Sequence, residues 1–401
     1  MIDFPYIDDI CQPTASKIVM LVVDGLGGLA DPKLGKSELE IAKTPNLDAL
    51  SSRSSTGLTV PVMPGITPGS GPGHLSLFGY DPVKYLVGRG VLEALGINIG
   101  MNAGDVAARG NFCTLDVNGM LVDRRAGRID SSESTPLCDM LDKIVIDGLD
   151  VSIFPVKDYR FVALFKGDGL DENLTGTDPQ ELGVPPSKVQ ALSAQAIKTA
   201  DSVNLLIEKA EEVLGNRKTA NMILLRGFSM LPTLPDFGQT YKLNPCAIAA
   251  YPMYRGLAKI LGMSVIPTGT TFTDEINTLR GNFDKHDFFY LHYKPADAAG
   301  EDGDFYGKVQ SLEELDSFIP QILELNPDVL VIAGDHSSPA VVAGHGWQPV
   351  PLLINSEFTL GEGVSDFSEK AFGYGSLGRL QATNVMFLAL AHARKLLKFG
   401  P

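Results

Sequence analysis

An α/β fold built on a mostly parallel sheet flanked by helices is the class this sequence predicts, and three observations carry the prediction. Short, β-branched apolar runs alternate with helical patterns along the chain. The runs are apolar at consecutive positions, as strands buried on both faces are. Three of them end on Asp or His, and in open α/β sheets the crevice at the carboxyl ends of the strands is where ligands sit.

The first run, Ile18 to Val23 (IVMLVV), reads as a buried strand leading into Asp24-Gly25. Pro64 to His74 is a rigid Pro/Gly loop from which His74-Leu75-Ser76-Leu77-Phe78 starts a helix. From about Asn111 the pattern changes to strand, turn, strand: Phe112 to Leu115, the hairpin signal Asn118-Gly119, then Met120 to Val122. A short helix near Pro136 to Ile144 and a second hairpin containing Phe161 to Phe165 follow. We therefore expect a small α+β domain over 106–184, inserted into a core formed by 1–105 and 185–401, with the polar stretch Asp168 to Pro186 as its exit. Val203, Leu206, Ile207, Ala210, Val213 and Leu214 recur at helical spacing before Gly215, predicting a helix over Asp201 to Leu214. Tyr254 to Leu261 is another. Met222 to Leu225, Phe288 to His292, Val329 to Ala333 and Leu352 to Ile354 complete the predicted core strands.

Composition narrows the function. The chain has 401 residues, 44% hydrophobic and 20% charged, which fits an ordinary globular protein and not a disordered one. Lys and Arg number 33 against 48 Asp and Glu, a net charge of −15, so neither nucleic acid nor an anionic membrane is the expected partner. Cys11, Cys113, Cys138 and Cys246 lack zinc-ribbon or disulfide-framework spacing. The acidic start has no basic n-region and no apolar run is long enough to span a bilayer, so a cytoplasmic setting is expected.

The chemistry collects at strand ends. Asp24 follows the first strand; Phe288 to His292 leads into Lys294, Asp297 and Glu301; Val329 to Ala333 leads into Asp335-His336, with His345 nine residues on. Each alone is an unremarked loop residue or cap. Together they supply enough carboxylate and imidazole ligands for two divalent metals, and mixed Asp/His ligation suits Zn or Mn. Ser70 lies where a helix N-terminus favours an ionised oxygen, and a metal on that oxygen would make it nucleophilic. From this loop alone, the same serine reads first as a helix cap. Arg124, Arg125, Arg128 and Arg160 concentrate in the small domain and offer forks for phosphate or carboxylate, or a solvated basic face. No Walker or kinase motif is present.

TPNLDAL (Thr44 to Leu50), PGSGPGHLSLFGYDP (Pro68 to Pro82), RGVLEALG (Arg89 to Gly96) and DRRAGRI (Asp123 to Ile129) form an ordered series. DYRF (Asp158 to Phe161), DAAGEDGDF (Asp297 to Phe305), GDHSSP (Gly334 to Pro339) and HGWQPVP (His345 to Pro351) extend it. In order and over nearly the whole chain, the series resembles the archaeal-type 2,3-bisphosphoglycerate-independent phosphoglycerate mutases of the alkaline phosphatase superfamily. The resemblance implies an alkaline-phosphatase-like core and metal-dependent interconversion of 3- and 2-phosphoglycerate, without 2,3-bisphosphoglycerate, through phosphorylated Ser70. It also implies two divalent ions, Mn foremost with Mg, Zn or Co as alternatives. Asp24, Ser70, Asp335 and His336 would hold one ion; Asp297, Glu301 and His345 the other. Arg124, Arg125, Arg128, Arg160, Lys294 and His74 would face a small phosphorylated substrate. Where the family motif is Asp-x-x-x-His, this chain has Asp297-x-x-x-Glu301, which favours harder ions and leaves room for a related phosphatase, a homoserine-kinase-like enzyme or a non-catalytic binder on the same scaffold.

Overall fold

The computed structural model describes residues 1–359 and 363–400. In chain order its strands are β1 Ile18–Val23, β2 Ser55–Val60, β3 Val106–Leu115, β4 Leu121–Asp123, β5 Asp150–Lys157, β6 Arg160–Lys166 and β7 Met222–Ser229. The later strands are β8 Pro245–Ile248, β9 Ser264–Val265, β10 Phe288–Tyr293, β11 Val329–Ala333, β12 Val350–Ser356 and β13 Gly378–Gln381. The residues group into two compact units: 1–86 with 234–251 and 258–401, and 87–233 with 252–257.

The first unit is built on an eight-stranded sheet in the order β13-β2-β12-β11-β1-β10-β8-β9. All its pairings are parallel except those of β12 with β11 and β2. The central strands β1, β10 and β11 are buried at every position, which is why they read as unbroken apolar runs. One face packs Val19, Leu21, Phe289, Leu291, Leu330 and Ile332 against Leu312, Leu315 and Ile319 of the helix Phe305–Leu323. Each fully buried leucine or isoleucine there contributes roughly 1.5–3 kcal/mol. Parallel register aligns the ends: Val22 pairs with both His292 and Ala333, so the residues that follow emerge together at one edge.

The second unit holds the other sheet, antiparallel, in the order β4-β3-β6-β5 with β7 added to β3. Its core joins Val106, Phe112, Phe161 and Phe165 to Val203, Leu206 and Ala210 of the helix Ile197–Leu214. This unit takes in more chain than 106–184. Met222–Ser229, expected in the core sheet, pairs antiparallel with β3, and the helix at 197–214 covers that same sheet. The helix Arg89–Gly96 belongs to it too; Gly90 lets it approach β3, since a Cβ there would lie 2.1 Å from the Ala107 carbonyl oxygen.

Several local expectations shift by a few residues. The helix expected near 136–144 is Ser131–Leu141 and accommodates Pro136, and the one expected from His74 begins at Ser70. The helix expected at 254–261 spans Pro252–Ile260. All four cysteines are free and buried. Among the described residues no helix is long and apolar enough to cross a membrane.

Candidate active site

At the carboxyl edge of the first sheet, β1 delivers Asp24, β10 delivers Lys294 and the helix Pro295–Glu301 with Asp297, and β11 delivers Asp335 and His336. All but Lys294 are almost wholly buried. His336 is the hub: its Nε2 lies 3.2 Å from Asp24 Oδ1, 3.3 Å from Asp335 Oδ2, 3.9 Å from Asp297 Oδ1 and 3.1 Å from Ser70 Oγ. The His345 ring stacks on that of His336 at 3.7 Å, placing its Nε2 3.8 Å from Asp297 Oδ1, while its Nδ1 is anchored 2.9 Å from the Pro68 carbonyl.

Ser70 is the first residue of the helix Ser70–Leu77, with Gly69 as its N-cap. Two supports hold this turn. His74 Nδ1 lies 2.8 Å from the Ser70 carbonyl and 3.1 Å from Asp335 Oδ2. Gly73 meets the backbone of Asp335, where a Cβ would come within 2.1 Å of the carbonyl oxygen. Gly25 closes the turn after Asp24 at φ +66°, against Asp297.

Burial raises the Asp24 carboxyl, but the Lys294 charge and hydrogen bonds from His292 and His336 outweigh it and hold it well below the usual carboxylate range. Lys294 Nζ is 2.9 Å from Asp24 Oδ2 and also bonds Asp297, bridging the two carboxylates. Asp297 shifts the other way, pushed up by burial and by Asp24. His336 is raised to about 9: burial opposes the charge, but Asp335 and Asp24 prevail. His292, 3.1 Å from Asp24 Oδ2, is lowered to about 4 by burial.

This donor set fits divalent cations. Two overlapping groups, Asp24 with Asp335 and His336, and Asp297 with His336 and His345, each offer ligand atoms within 4.8 Å of one another. Buried carboxylates in such number are otherwise mutually repulsive, and oxygen plus imidazole donors suit Mn or Zn.

The second unit carries a different cluster. Arg124 donates from Nε and Nη2 to the two carboxylate oxygens of Asp178, both at 2.8 Å, and Arg226 Nη1 lies 3.8 Å from Asp178. Arg109, on β3, is directly opposite Arg226, on β7, and its Nε is 3.8 Å from Glu93. Burial lowers Arg109 to about 10, and Arg160, Arg89 and Arg226 add like-charge repulsion. Arg109, Arg124 and Arg226 thus face Glu93 and Asp178 with Arg89 and Arg160 adding like charge, and like charges facing each other across a strand pair are destabilising unless an anion joins them.

A family model described as 2,3-bisphosphoglycerate-independent phosphoglycerate mutase matches residues 51–220. A Thermosipho africanus protein named probable 2,3-bisphosphoglycerate-independent phosphoglycerate mutase is 49% identical, over 98% of both chains. A Thermus thermophilus protein of the same name is 47% identical over 99% of both. The chain belongs to the 2,3-bisphosphoglycerate-independent phosphoglycerate mutase family. Among solved structures, a Pyrococcus horikoshii protein aligns with TM-score 0.83 at 27% identity, covering 97% of this chain and all of that one. The cofactor-independent phosphoglycerate mutase of Thermoplasma acidophilum aligns with TM-score 0.67 at 27% identity, over 94% and 100%.

Against the residues that the family resemblance implied, the geometry differs in four places. His336 reaches both metal-ligand groups, where it was assigned to one. Glu301 lies in neither group; its side chain is 53% exposed, with Oε1 3.5 Å from His345 Nε2, and that pairing lowers its carboxyl to about 2. His74, expected among the substrate contacts, has no exposed surface and lies behind Ser70 and Asp335. In the arginine cluster, Arg124 and Arg160 are joined by Arg89, Arg109 and Arg226, while Arg125 and Arg128 are exposed. Sequence reasoning passed over Arg109 although a signal existed: it interrupts the buried apolar strand Val106–Leu115.

Proposed function

We propose that this chain interconverts 3-phosphoglycerate and 2-phosphoglycerate, without 2,3-bisphosphoglycerate, through a phosphorylated Ser70. The observation that carries the reading is the placement of Ser70 Oγ, at a helix N-terminus and 3.1 Å from the Nε2 of His336, beside Asp24 and Asp335. Asp24, Asp335 and His336, and Asp297 and His345, would hold divalent ions, which would supply charge neutralisation and lower the pKa of the serine hydroxyl.

The chain's own groups do the rest. Ser70 Oγ takes the phosphoryl group as the bond from phosphorus to the 3-oxygen of the substrate breaks, then returns it to the 2-oxygen of the retained glycerate. The N-terminal amides of the helix Ser70–Leu77 stabilise the phosphoserine oxygens. His74 and Gly73 fix that helix against Asp335. Lys294 offers a cation next to the transferred group. Arg124 and Arg160, with Arg89, Arg109 and Arg226, are the groups suited to bind the carboxylate and hydroxyls of glycerate while it turns. Mn²⁺ is the ion we assign, in a cytoplasmic glycolytic role. Glu301 lies close enough to His345 to complete the second ion's ligands after a modest side-chain movement.

The reading is tested with 3-phosphoglycerate, Mn²⁺ and no 2,3-bisphosphoglycerate. Wild type is expected to form 2-phosphoglycerate and to carry phosphate on the peptide containing Ser70, and Ser70→Ala to lose at least about 10⁴-fold in kcat. Release of inorganic phosphate in place of 2-phosphoglycerate would favour the phosphatase alternative.

A further inference from the structure

Lys308 lies in the first turn of the helix Phe305–Leu323, outside both groups of metal ligands, and has no exposed surface. Its ammonium donates to three backbone carbonyls: Gly25 and Gly27, each at 2.9 Å, and Ser338 at 2.8 Å. Gly25 and Gly27 belong to the loop that follows Asp24; Ser338 belongs to the loop that follows His336. One buried cation therefore ties together the two segments that present these ligands.

Carboxylates complete the arrangement from the other side. Glu38, wholly buried, accepts from the Ala340 amide at 2.8 Å. Glu369 accepts from the Gly28 amide and from Ser37 Oγ, both at 2.7 Å. The ammonium thus holds carbonyls of both loops, and the carboxylates hold an amide of each. The loops also bond directly, the Ser338 amide donating to Gly27 O at 3.0 Å. From Ser338 the connection reaches the ligands: its hydroxyl donates to Asp297 Oδ1 and lies 3.2 Å from His336 Nδ1. An ammonium without water is costly, and elsewhere this helix packs the sheet with Leu312 and Leu315. A leucine at 308 would fill space; only a donor of three hydrogen bonds fixes the separation of these carbonyls.

We propose that Lys308, supported by Glu38 and Glu369, is a positioning residue that sets the separation of Asp24 from His336 and Asp297, and thereby the affinity of the site for divalent cations. The inference rests on the reading of those residues as metal ligands.

The test titrates Mn²⁺ into the ion-free full-length chain by calorimetry, with the electron paramagnetic resonance spectrum of bound Mn²⁺ as second readout. Lys308→Met is expected to weaken Mn²⁺ by about 10- to 100-fold and to broaden the spectrum, as loss of a group that orients metal ligands does. Leu312→Ala, a buried change on the same helix, controls for lost stability and is expected to bind Mn²⁺ as wild type does. Binding by Lys308→Met within about twofold of wild type, or equal weakening in Leu312→Ala, would overturn the proposal. Should Lys308→Met fail to fold, Ser338→Ala keeps the carbonyl that Lys308 holds and removes the hydroxyl that joins this loop to Asp297 and His336. It is expected to weaken Mn²⁺ by about tenfold, and unchanged affinity would again overturn the proposal. A wild type that binds no Mn²⁺ would sink the metal-ligand reading and this inference together; normal wild-type binding with unaltered variants sinks this inference alone.

Discussion

Glu275 is a buried carboxyl whose ionisation should be visible in the stability of the whole protein. It lies in the helix Phe272–Asn282, 3% exposed, and accepts from the backbone amides of Ala250 at 2.9 Å and His292 at 3.4 Å. Burial pushes its pKa up to about 8, and the two amides offset only part of that rise. Below about pH 4.5 the carboxyl is protonated in both folded and unfolded chains and has no effect on the slope. Between about 4.5 and 8 the unfolded chain ionises while the folded one keeps its proton, so unfolding becomes easier as pH rises. The slope is about 1.4 kcal/mol per pH unit, accumulating to roughly 4–5 kcal/mol by pH 8, after which it flattens. Glu275→Gln keeps the shape and cannot ionise. Urea unfolding of wild type and Glu275→Gln across this range should therefore give a stability difference that grows in favour of the variant as pH rises from about 5 to 8. A difference that stays flat, or that grows as pH falls, would show that the carboxyl is already ionised in the folded state and refute the reasoning.

Three further outcomes are expected. Glu301→His, at a half-exposed position, should shift activation from Mn²⁺ or Mg²⁺ towards Zn²⁺ or Co²⁺ without moving the thermal midpoint; an unchanged metal profile would remove Glu301 from the ligand set. Gly73→Ala forces the helix Ser70–Leu77 away from the Asp335 carbonyl and should cost about 1–3 kcal/mol of stability together with a loss of Mn²⁺ affinity, measured by melting and titration. Arg226→Met relieves repulsion from Arg89 and Arg124 and leaves Asp178 paired with Arg124, so the thermal midpoint should hold or rise while KM for phosphoglycerate increases about 10- to 100-fold; a fall in stability with unchanged KM would make Arg226 structural.

What could be read from the chain divides along physical lines. β1, β10 and β11 were legible because parallel strands covered on both faces need apolar side chains at every position, and the residues just beyond them must then be loop or ligand. β2, with the sequence STGLTV, is just as buried but carries little signal, since its small polar side chains are enclosed between β12 and β13. Met222–Ser229 shows a different limit. Its apolar run suits either sheet equally, and only pairing with β3, more than a hundred residues earlier, decides which one it joins. Asp24, Asp297, Asp335 and His336 were legible as a cluster because Asp and His were read at strand ends. That His336 serves both groups was not readable, because it depends on where one ring stands among Asp24, Asp335 and Asp297.

Charge is where composition and site part company most clearly. A net −15 describes the protein as met from a distance, and exposed charges beyond about 8–10 Å are largely screened at physiological salt. Within that distance the local groups decide. Asp24 and Asp297 are bridged by Lys294, and Lys308 stands behind the loop after Asp24. In the second unit Arg89, Arg109, Arg124, Arg160 and Arg226 outnumber Glu93 and Asp178. On the proposed reading, the arginines of the second unit would give an anionic substrate cationic surroundings in a protein whose total charge would repel it. Added salt should therefore weaken substrate binding through the local arginines, raising KM, even though screening of the net charge alone would lower it. KM for 3-phosphoglycerate measured against ionic strength distinguishes the two, and a KM that falls as salt rises would mean that the global charge, not the arginine cluster, governs the encounter.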